Sequence, residues 1–332
     1  MALRWGIASA GKISNDFVAA TKSLPSSEHQ VVAVAARSLK SAQEFAKKLD
    51  IPKAYEGYRS LGEDKDVDVV YIGTLNPQHY EVAKLMLEHG KHVLCEKPFT
   101  INEKQTRELL ELSKKTKLFL MEAVWSRCNP VYDELKKQID SGIIGEVLYV
   151  NACFGFPLDN VDRLNVKEMG GSAVLDLGVY TLQFIQYVFR GLKPIEVAIT
   201  GHLNKQNVDE TAVAVLKYPG GRTGVATCSS RLQLDNVAVV IGTKGTIRVP
   251  QFWTPVKLET PNKTFEFDMP KSNAQFFFGN SIGLAFEAEE VRQCIKKGLI
   301  ESPKITHAET LELAQLMDMI RLKIGNVFPE DS

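Results

Sequence analysis

The sequence has no long apolar run and no excess of charge of either sign. Lys plus Arg and Asp plus Glu each total 40 in 332 residues, so the formal net charge is zero. Such a balance gives no electrostatic footprint for nucleic acid or for an anionic membrane. No segment reaches the length of about 18 consecutive apolar residues that a membrane-spanning helix needs. We therefore expect neither a nucleic-acid partner nor a membrane partner.

Cysteine is scarce, and its spacing shows no C-x-x-C pair. The five cysteines are scattered along the chain: Cys95, Cys128, Cys153, Cys228 and Cys294. This pattern argues against a disulfide framework or a structural zinc site and is typical of a reducing compartment. The first residues also lack the basic region, apolar stretch and cleavage site of a signal peptide. We expect a cytosolic protein that holds no metal.

The first 123 residues alternate apolar, strand-like runs with amphipathic, helix-like stretches. The predicted strands are 3–8, 30–36, 67–74, 92–96 and 118–123, and the predicted helices are 14–24, 41–49, 77–88 and 102–116. Strands that are apolar throughout are buried on both faces, as parallel strands between helices must be. Residues 1–123 are therefore predicted to form a doubly wound parallel sheet, a Rossmann domain.

The pattern changes after about residue 123, where closely spaced strands joined by tight turns replace the alternation. The predicted strands are 146–154, 195–203, 211–218, 223–232, 237–242 and 246–250, and the predicted helices are 130–141, 171–189, 284–297 and 307–324. Short connections between strands indicate a mainly antiparallel sheet. We predict an α/β protein in which residues 124–332 form a substrate-binding α+β domain with a large open sheet. Its final helices could pack back on the first domain.

The turn after the first strand has the spacing of a dinucleotide-binding loop. It matches G-x-G-x-x-G with Gly6, Ala8 and Gly11, and Lys12 and Ile13 open the next helix. Small residues let backbone N–H groups approach a pyrophosphate at a helix N-terminus. The alternative is an ordinary tight turn, but the position after an N-terminal apolar strand favours the cofactor.

The end of the second strand carries no acidic residue. An NAD enzyme usually has Asp or Glu there, which binds the ribose 2′-hydroxyl. Here the strand ends in Arg37-Ser38, so Arg37 could pair with a 2′-phosphate and Ser38 could add a hydrogen bond. This predicts NADP as the cofactor, with a solvated surface arginine as the alternative.

Two further motifs identify a family resemblance. One strand is followed by Gly73-Thr74-Leu75-Asn76-Pro77-Gln78-His79 and the next ends in Cys95-Glu96-Lys97-Pro98, while Gly170-Gly171 and Asp176-Leu177-Gly178-Val179-Tyr180 lie in the second half. With the glycine turn, this pattern resembles the glucose–fructose oxidoreductase / inositol dehydrogenase (Gfo/Idh/MocA) family along the whole chain. The resemblance implies a Rossmann domain, a second domain whose open sheet makes a homodimer interface, and cofactor contacts from Thr74, Asn76, His79, Glu96 and Lys97. His79 could equally be a structural histidine, and Glu96 is expected to position its turn.

The chain departs from one family motif, D-x-G-x-H-x-x-D. Tyr180 stands at the histidine position and Gln183 at the second aspartate, which argues against an inositol dehydrogenase mechanism. In this respect the chain is similar to a branch that uses NADP to oxidise trans-dihydrodiols of aromatic hydrocarbons to catechols, and D-xylose at C1 to the lactone. The rival interpretations are a family oxidoreductase for another sugar or polyol, and a non-catalytic NADP(H)-binding sensor.

Alcohol oxidation needs a base for the hydroxyl proton, and the resemblance places Lys97 and Tyr180 together. The hypothesis is that Tyr180 takes the proton and that Lys97 lowers the pKa of Tyr180. Asp176, one predicted helical turn before Tyr180, could bind a substrate hydroxyl or orient the lysine. The alternatives are a strand-end lysine, a core tyrosine and an aspartate paired with a basic neighbour.

Aromatic residues are candidates for the wall of a small-molecule substrate pocket. Trp125 and Phe154 are the principal candidates, and Phe156, Trp253 and Phe276-Phe277-Phe278 are further ones. An aromatic wall suits a planar dihydrodiol or the apolar face of a sugar. Each of these residues could instead belong to the core.

Overall fold

The computed structural model describes residues 2–332, which contain fourteen β-strands. The strands are Leu3–Ala8 (β1), His29–Ala36 (β2), Lys53–Glu56 (β3), Val69–Ile72 (β4), His92–Glu96 (β5), Leu120–Ala123 (β6), Val147–Gly155 (β7), Glu196–Leu203 (β8), Asp209–Tyr218 (β9), Arg222–Ser229 (β10), Val237–Gly242 (β11), Gly245–Pro250 (β12), Lys257–Glu259 (β13) and Thr264–Glu266 (β14). Of these, β3, β13 and β14 were not predicted, because they are short and carry little apolar alternation.

The described residues also contain ten α-helices. They are Lys12–Thr21 (α1), Leu39–Lys48 (α2), Arg59–Glu63 (α3), His79–Glu88 (α4), Glu103–Thr116 (α5), Pro130–Asp140 (α6), Asp162–Asn165 (α7), Val179–Val188 (α8), Leu284–Lys296 (α9) and His307–Ile324 (α10). The helix predicted over 171–189 is interrupted, because residues Val174–Gly178 form a π-helical turn ahead of α8. The short helices α3 and α7 were not predicted.

The chain divides into two compact units. The first comprises residues up to Thr100, Lys104–Cys128 and Met269–Thr310, and the second comprises Ile101–Glu103, Asn129–Asp268 and Leu311–Ser332. The boundary predicted at Ala123 places α9 in the second domain, with the provision that the final helices could pack back on the first domain. In the structure α9 is part of the first unit, where it packs against α1.

The first unit is built on a six-stranded sheet in which all neighbouring strands are parallel. Its order is β3-β2-β1-β4-β5-β6, which is the Rossmann order with a switch point between β1 and β4. All four residues of β4 are buried, as expected for a strand covered on both faces. The prediction of a doubly wound Rossmann sheet is confirmed.

The second unit is built on an eight-stranded sheet of order β14-β13-β12-β11-β7-β10-β9-β8. Its neighbours are antiparallel except β7 and β10, which run parallel. One face carries the apolar packing against α8, which contacts β7 and β10. The predicted α+β class with a mainly antiparallel sheet is confirmed.

No helix within residues 2–332 is both long and apolar enough to cross a membrane.

Candidate active site

The loop between β1 and α1 fits a pyrophosphate. Gly11 is the N-cap of α1 and has no side chain to cap the helix, and the first turn of α1 contains no acidic residue. The N–H groups of this turn are therefore presented at the positive end of a helix, where anions are stabilised. Ser9 has a φ of 108°, a conformation that costs about 1–3 kcal/mol for a residue with a side chain and is concentrated at ligand sites.

Small residues keep this loop open. A Cβ atom on Gly73 would lie 2.5 Å from Ser14 Oγ, and a Cβ atom on Gly6 would lie 2.9 Å from the Leu61 and Val67 side chains. Ala8 is buried beneath the loop, whereas Lys12 is exposed and Ile13 half-buried at the start of α1. The structure therefore brings the predicted cofactor residues of this loop together around the helix N-terminus.

Arg37 and Ser38 follow β2 and are both exposed. The Ser38 hydroxyl accepts a hydrogen bond from the Ser41 N–H at 3.3 Å, so Ser38 is the N-cap of α2. Burial raises the pKa of Tyr58, and the positive charge of Arg37 acts against that rise. An exposed guanidinium next to the N-terminus of a helix is suited to a phosphate group.

Thr74 and His79 lie after β4 and have different surroundings. The Thr74 hydroxyl oxygen is buried and has no hydrogen-bond partner within residues 2–332, as expected of a group that a ligand satisfies. His79 is 1% exposed, and its ring nitrogens face the Pro98 carbonyl oxygen at 2.8 Å and the Thr74 carbonyl oxygen at 3.2 Å. Burial lowers the pKa of His79. The contacts thus match the structural alternative for His79. Asn76 begins the short 3₁₀-helix Asn76–Gln78 that precedes α4.

Glu96 organises the turn that carries Lys97. Its carboxylate accepts a hydrogen bond from the Tyr71 hydroxyl at 2.7 Å and from the Lys97 backbone N–H at 3.2 Å. Lys97 is half-buried and is followed by a cis peptide bond to Pro98. Glu96 is 7% exposed, so its visible role is to hold the strand end rather than to meet substrate.

A second buried carboxyl group, Glu287 of α9, lies close to Glu96. Neither of its carboxyl oxygens has a hydrogen-bond partner among the described residues, and the side chain is fully buried. Burial, with the negative charge of Glu96 as a further cause, raises the pKa of Glu287 well above its usual range. Sequence reasoning missed this residue, because a lone glutamate on an amphipathic helix carries no signal of burial.

We expect Glu287→Gln to raise the free energy of unfolding at pH 8 by more than about 1 kcal/mol, because an amide does not ionise and each unit by which folding raises a carboxyl pKa costs about 1.4 kcal/mol of stability above that pKa. When folding raises the pKa of a carboxyl group, the protein loses stability as the pH rises above the pKa of that group in the unfolded chain, about 4.3. The gain should therefore shrink towards pH 4. Urea unfolding curves at several pH values measure it.

Glu289, two residues along α9, is the matched control for this prediction. Partial burial opposes the change, but hydrogen bonds from Arg292, Gln293 and His29 lower the pKa of Glu289 to about 2. A carboxyl group whose pKa is lowered on folding stabilises the protein at any pH above the pKa of that group in the unfolded chain. Glu289→Gln should therefore destabilise the protein at pH 8, and a loss of stability in both variants would contradict the assignment of Glu287.

The aromatic candidates divide between the two units. In the first unit, Trp125 begins the 3₁₀-helix Trp125–Cys128 and is 9% exposed. Phe277 and Phe278 are exposed, and their backbone N–H groups donate to the buried Asp16 carboxylate at 2.9–3.0 Å. Phe276 is half-buried in the same segment.

In the second unit, the remaining aromatic candidates form a cluster that contacts Tyr180 through Phe154. The Phe154 ring lies 5.4 Å from the Tyr180 ring and 4.5 Å from the Trp253 ring, and Phe156 lies 5.4 Å from Phe154. Phe154 and Tyr180 are buried, whereas Phe156 and Trp253 are partly exposed. This cluster places an apolar wall beside the predicted base.

The structure pairs Asp176 with a basic residue. Asp176 is 5% exposed, and its Oδ1 accepts a hydrogen bond from Arg163 Nη1 of α7 at 2.8 Å. The α-helical spacing expected between Asp176 and Tyr180 is wrong, because the Val179 N–H reaches the Val174 carbonyl across a π-helical turn. Such turns are frequent at functional sites. Arg163 was not predicted, since the four residues of α7 are too few to show a period in the sequence.

Gln183, at the position of the second aspartate in the family motif, has a structural contact. It is fully buried, and its side-chain amide donates to the Tyr132 hydroxyl at 2.8 Å. The amide therefore supports the packing between α6 and α8.

Comparisons with known proteins agree with this architecture. Residues 3–124 match the model of an oxidoreductase family with an NAD-binding Rossmann fold, and residues 132–248 match the model of the Gfo/Idh/MocA C-terminal domain. The chain is 44% identical over its full length, and over all of the relative, to a trans-1,2-dihydrobenzene-1,2-diol dehydrogenase of Danio rerio. It is 45% identical to the Bos taurus protein of the same name, covering all of this chain and 99% of that protein.

Solved structures show the same two-domain fold. A 3-ketoreductase from Actinomadura kijaniata in complex with NADP and TDP-benzene is 25% identical, with a TM-score of 0.81, over 97% of this chain and 98% of that one. An NAD-binding oxidoreductase from Klebsiella pneumoniae has a TM-score of 0.84 at 23% identity, over 98% of this chain and 97% of that one. The chain therefore belongs to the Gfo/Idh/MocA family and is a nicotinamide-dependent dehydrogenase with a Rossmann cofactor domain.

Proposed function

We propose that this enzyme oxidises trans-dihydrodiols of aromatic hydrocarbons to catechols, and D-xylose at C1 to the lactone, with NADP⁺ as oxidant. The observation that carries the proposal is the 44% identity, over the full length of both chains, to relatives named trans-1,2-dihydrobenzene-1,2-diol dehydrogenase. The aromatic cluster of Phe154, Trp253 and Tyr180 supports it, because aromatic side chains pack well against planar rings and sugar faces. The proposed activity on D-xylose rests on the family resemblance described in the sequence analysis.

The residues provide the acid–base part of this reaction. The loop of Gly6, Ala8 and Gly11 would hold the nicotinamide cofactor, which would supply the acceptor for the hydride of the carbon that bears the reacting hydroxyl. Tyr180 takes the proton of that hydroxyl, and the Lys97 ammonium favours the tyrosinate. Glu96 keeps the Lys97 backbone in place through its 3.2 Å hydrogen bond. Asp176 binds a substrate hydroxyl, and the exposed rings of the wall exclude water from one side.

The proposal is tested by reduction of NADP⁺ and NAD⁺ with trans-benzene dihydrodiol and with D-xylose. Turnover of the dihydrodiol, faster with NADP⁺, is the expected result. Turnover of D-xylose alone would restrict the function to sugars. NADPH binding without turnover of either substrate would favour a different polyol or a sensor and would contradict the proposal.

Arg37 is proposed to select NADP over NAD. We expect Arg37→Ala to lower kcat/KM with NADP⁺ roughly 10- to 100-fold, the loss of a charge-assisted pair worth about 1.5–3 kcal/mol. The value with NAD⁺ should change little, because NAD⁺ has no 2′-phosphate. Arg59→Ala is the control, since Arg59 is also exposed and pairs with Glu63 at 3.9 Å. Equal losses with both cofactors in Arg37→Ala would contradict this role.

We also propose that the enzyme is a homodimer that buries the open face of the eight-stranded sheet. Apolar residues are exposed on or beside its strands: Ile195 is 65% exposed, Val215 39% and Ile241 38%. Exposed apolar residues on a sheet face are commonly covered by a second copy of the chain. Light scattering should give about twice the chain mass of 36.9 kDa, and a monomer at micromolar concentration would contradict the proposal.

A further inference from the structure

We propose that Arg163 determines specificity, because together with Asp176 it recognises the substrate hydroxyl next to the reacting one. This inference rests on the proposed function and deepens it. The adjacent hydroxyl donates a hydrogen bond to the Asp176 carboxylate and accepts one from the Arg163 guanidinium. A vicinal hydroxyl is the feature that a trans-dihydrodiol and the C1–C2 unit of an aldose share.

The contact between the two side chains is a two-point ion pair. Arg163 Nη1 lies 2.8 Å from Asp176 Oδ1, and Nη2 lies 3.4 Å from Oδ2. The Asp176 side chain is 8% exposed and that of Arg163 is 40% exposed. The pair therefore presents a charged acceptor at the edge of the buried interior and a charged donor that can exchange solvent for a ligand. Hydrogen bonds to charged groups are stronger than those between neutral groups.

The segment that carries Arg163 is held against the helix of Asp176. A Cβ atom on Gly171 would lie 2.7 Å from the Val166 carbonyl oxygen and 2.9 Å from that of Leu164. Only glycine allows this approach, which gives the Gly170-Gly171 motif a physical role. Asn165 Nδ2 donates to the Leu158 and Val161 carbonyls at 2.8 and 3.0 Å. The Asn165 side chain therefore closes the turn that contains Arg163.

The other side of the pair is fixed as firmly. Asp209 of β9 is fully buried, and its carboxylate accepts the Val174 N–H at 2.7 Å. The Leu175 N–H donates to the Ser172 hydroxyl at 3.0 Å. These bonds anchor the first residues of the π-helical turn that contains Asp176. A donor and an acceptor held in place before the ligand arrives lose little entropy on binding.

A hydroxyl group is both a donor and an acceptor, and the pair supplies the complementary partner for each role. A site built to bond a hydroxyl strongly rejects an analogue that lacks it, because its buried polar groups are left unpaired. The ion pair thus selects diols over single alcohols, while the aromatic cluster accepts rings of different kinds.

The decisive experiment compares a diol with the matching single alcohol on the full chain loaded with NADPH. The reduced cofactor prevents turnover, so dissociation constants for trans-1,2-cyclohexanediol and cyclohexanol can be read from NADPH fluorescence. The wild-type protein should prefer the diol roughly 10- to 100-fold, and Arg163→Gln should reduce this ratio to below about 3-fold. Arg163→Lys, which keeps the charge, should retain an intermediate ratio.

Turnover with NADP⁺ provides the second readout. The kcat/KM ratio of D-xylose to 2-deoxy-D-xylose should fall in Arg163→Gln by the same factor as the binding ratio. Arg222→Gln is the matched control, since Arg222 also forms a 2.8 Å ion pair, with Glu146, and lies in the second unit. It should leave both ratios unchanged.

Two results would overturn the inference. If Arg163→Gln weakened the diol and the single alcohol equally, the residue would have only a structural role. If the NADPH-loaded wild-type protein bound both ligands equally, no adjacent hydroxyl would be recognised. Failure of the proposed function is distinguishable, because it would abolish turnover of D-xylose and of the dihydrodiol, whereas the binding comparison would still decide the role of Arg163.

Discussion

Tyr180→Phe is expected to lower kcat about 10²- to 10⁴-fold, the usual contribution of a positioned general acid or base. The substitution removes one oxygen atom and keeps the ring that packs 5.4 Å from Phe154. Affinity for NADPH should therefore be preserved. Lys97→Met should lower kcat by a similar factor, because an uncharged side chain no longer favours the tyrosinate. Steady-state kinetics with the dihydrodiol, and NADPH titration by fluorescence, measure both effects.

The pH dependence separates the two substitutions. If Lys97 lowers the pKa of the Tyr180 hydroxyl, the pH–rate profile of Lys97→Met should be shifted to higher pH. The residual activity of Tyr180→Phe should no longer depend on the ionisation of a tyrosine base. Tyr187→Phe is the control, since Tyr187 lies on the same helix and its buried hydroxyl donates to the Tyr132 carbonyl at 2.7 Å. It should cost stability and leave kcat intact. Near-normal turnover in Tyr180→Phe would rule out the tyrosine base.

The local pattern of the first unit was enough to predict its fold. The strands Leu3–Ala8 and His92–Glu96 have the predicted bounds. Apolar runs and amphipathic periods report burial directly, because each residue's environment repeats with the period of its element. The short strand Lys53–Glu56 escaped, since its residues are half-buried or exposed at the sheet edge and their composition indicates no strand.

The candidate site was only partly predictable, because several of its features are decided by distant residues. The π-helical turn around Asp176 is anchored by Asp209, which lies more than thirty residues along the chain. The sequence motif predicts that His79 contacts the cofactor, but its ring nitrogens face the carbonyl oxygens of Thr74 and Pro98. Arg163 lies in the four-residue helix α7, which is too short to show a period in the sequence. Tertiary contacts of this kind leave no local pattern in the sequence.

The C-terminal segment of the second unit is fixed by a buried arginine, and its removal has the second large expected effect. Arg321 of α10 is fully buried. Its guanidinium donates to the Asp331 carboxylate at 2.6 and 2.7 Å, to Asp318 at 3.0 Å and to the Asn326 carbonyl at 2.7 Å. The Phe328 ring lies 4.6 Å from the guanidinium carbon. One side chain therefore holds the end of α10 and the residues that follow it.

Arg321→Met should lower the free energy of unfolding by about 3–5 kcal/mol, because breaking a buried ion pair leaves its partners charged and unpaired. Arg321→Lys should recover part of the lost stability, because the ammonium group keeps the positive charge. The recovery should be incomplete, because an ammonium group cannot reach all the acceptors that the planar guanidinium binds. Urea unfolding followed by circular dichroism measures both variants. Lys136→Met, which removes an exposed pair with Asp140 at 2.7 Å, is the control and should have no measurable effect.

The same cluster links stability to the substrate site. Asn326, whose carbonyl Arg321 binds, donates through its side chain to the Asp209 carboxylate at 2.7 Å and to the Gly171 carbonyl at 3.1 Å. Asp209 in turn holds the start of the π-helical turn. Arg321→Met should therefore also raise KM for the diol at temperatures where the protein remains folded. If stability fell and KM stayed constant, the C-terminal segment would stabilise the fold without positioning Asp176.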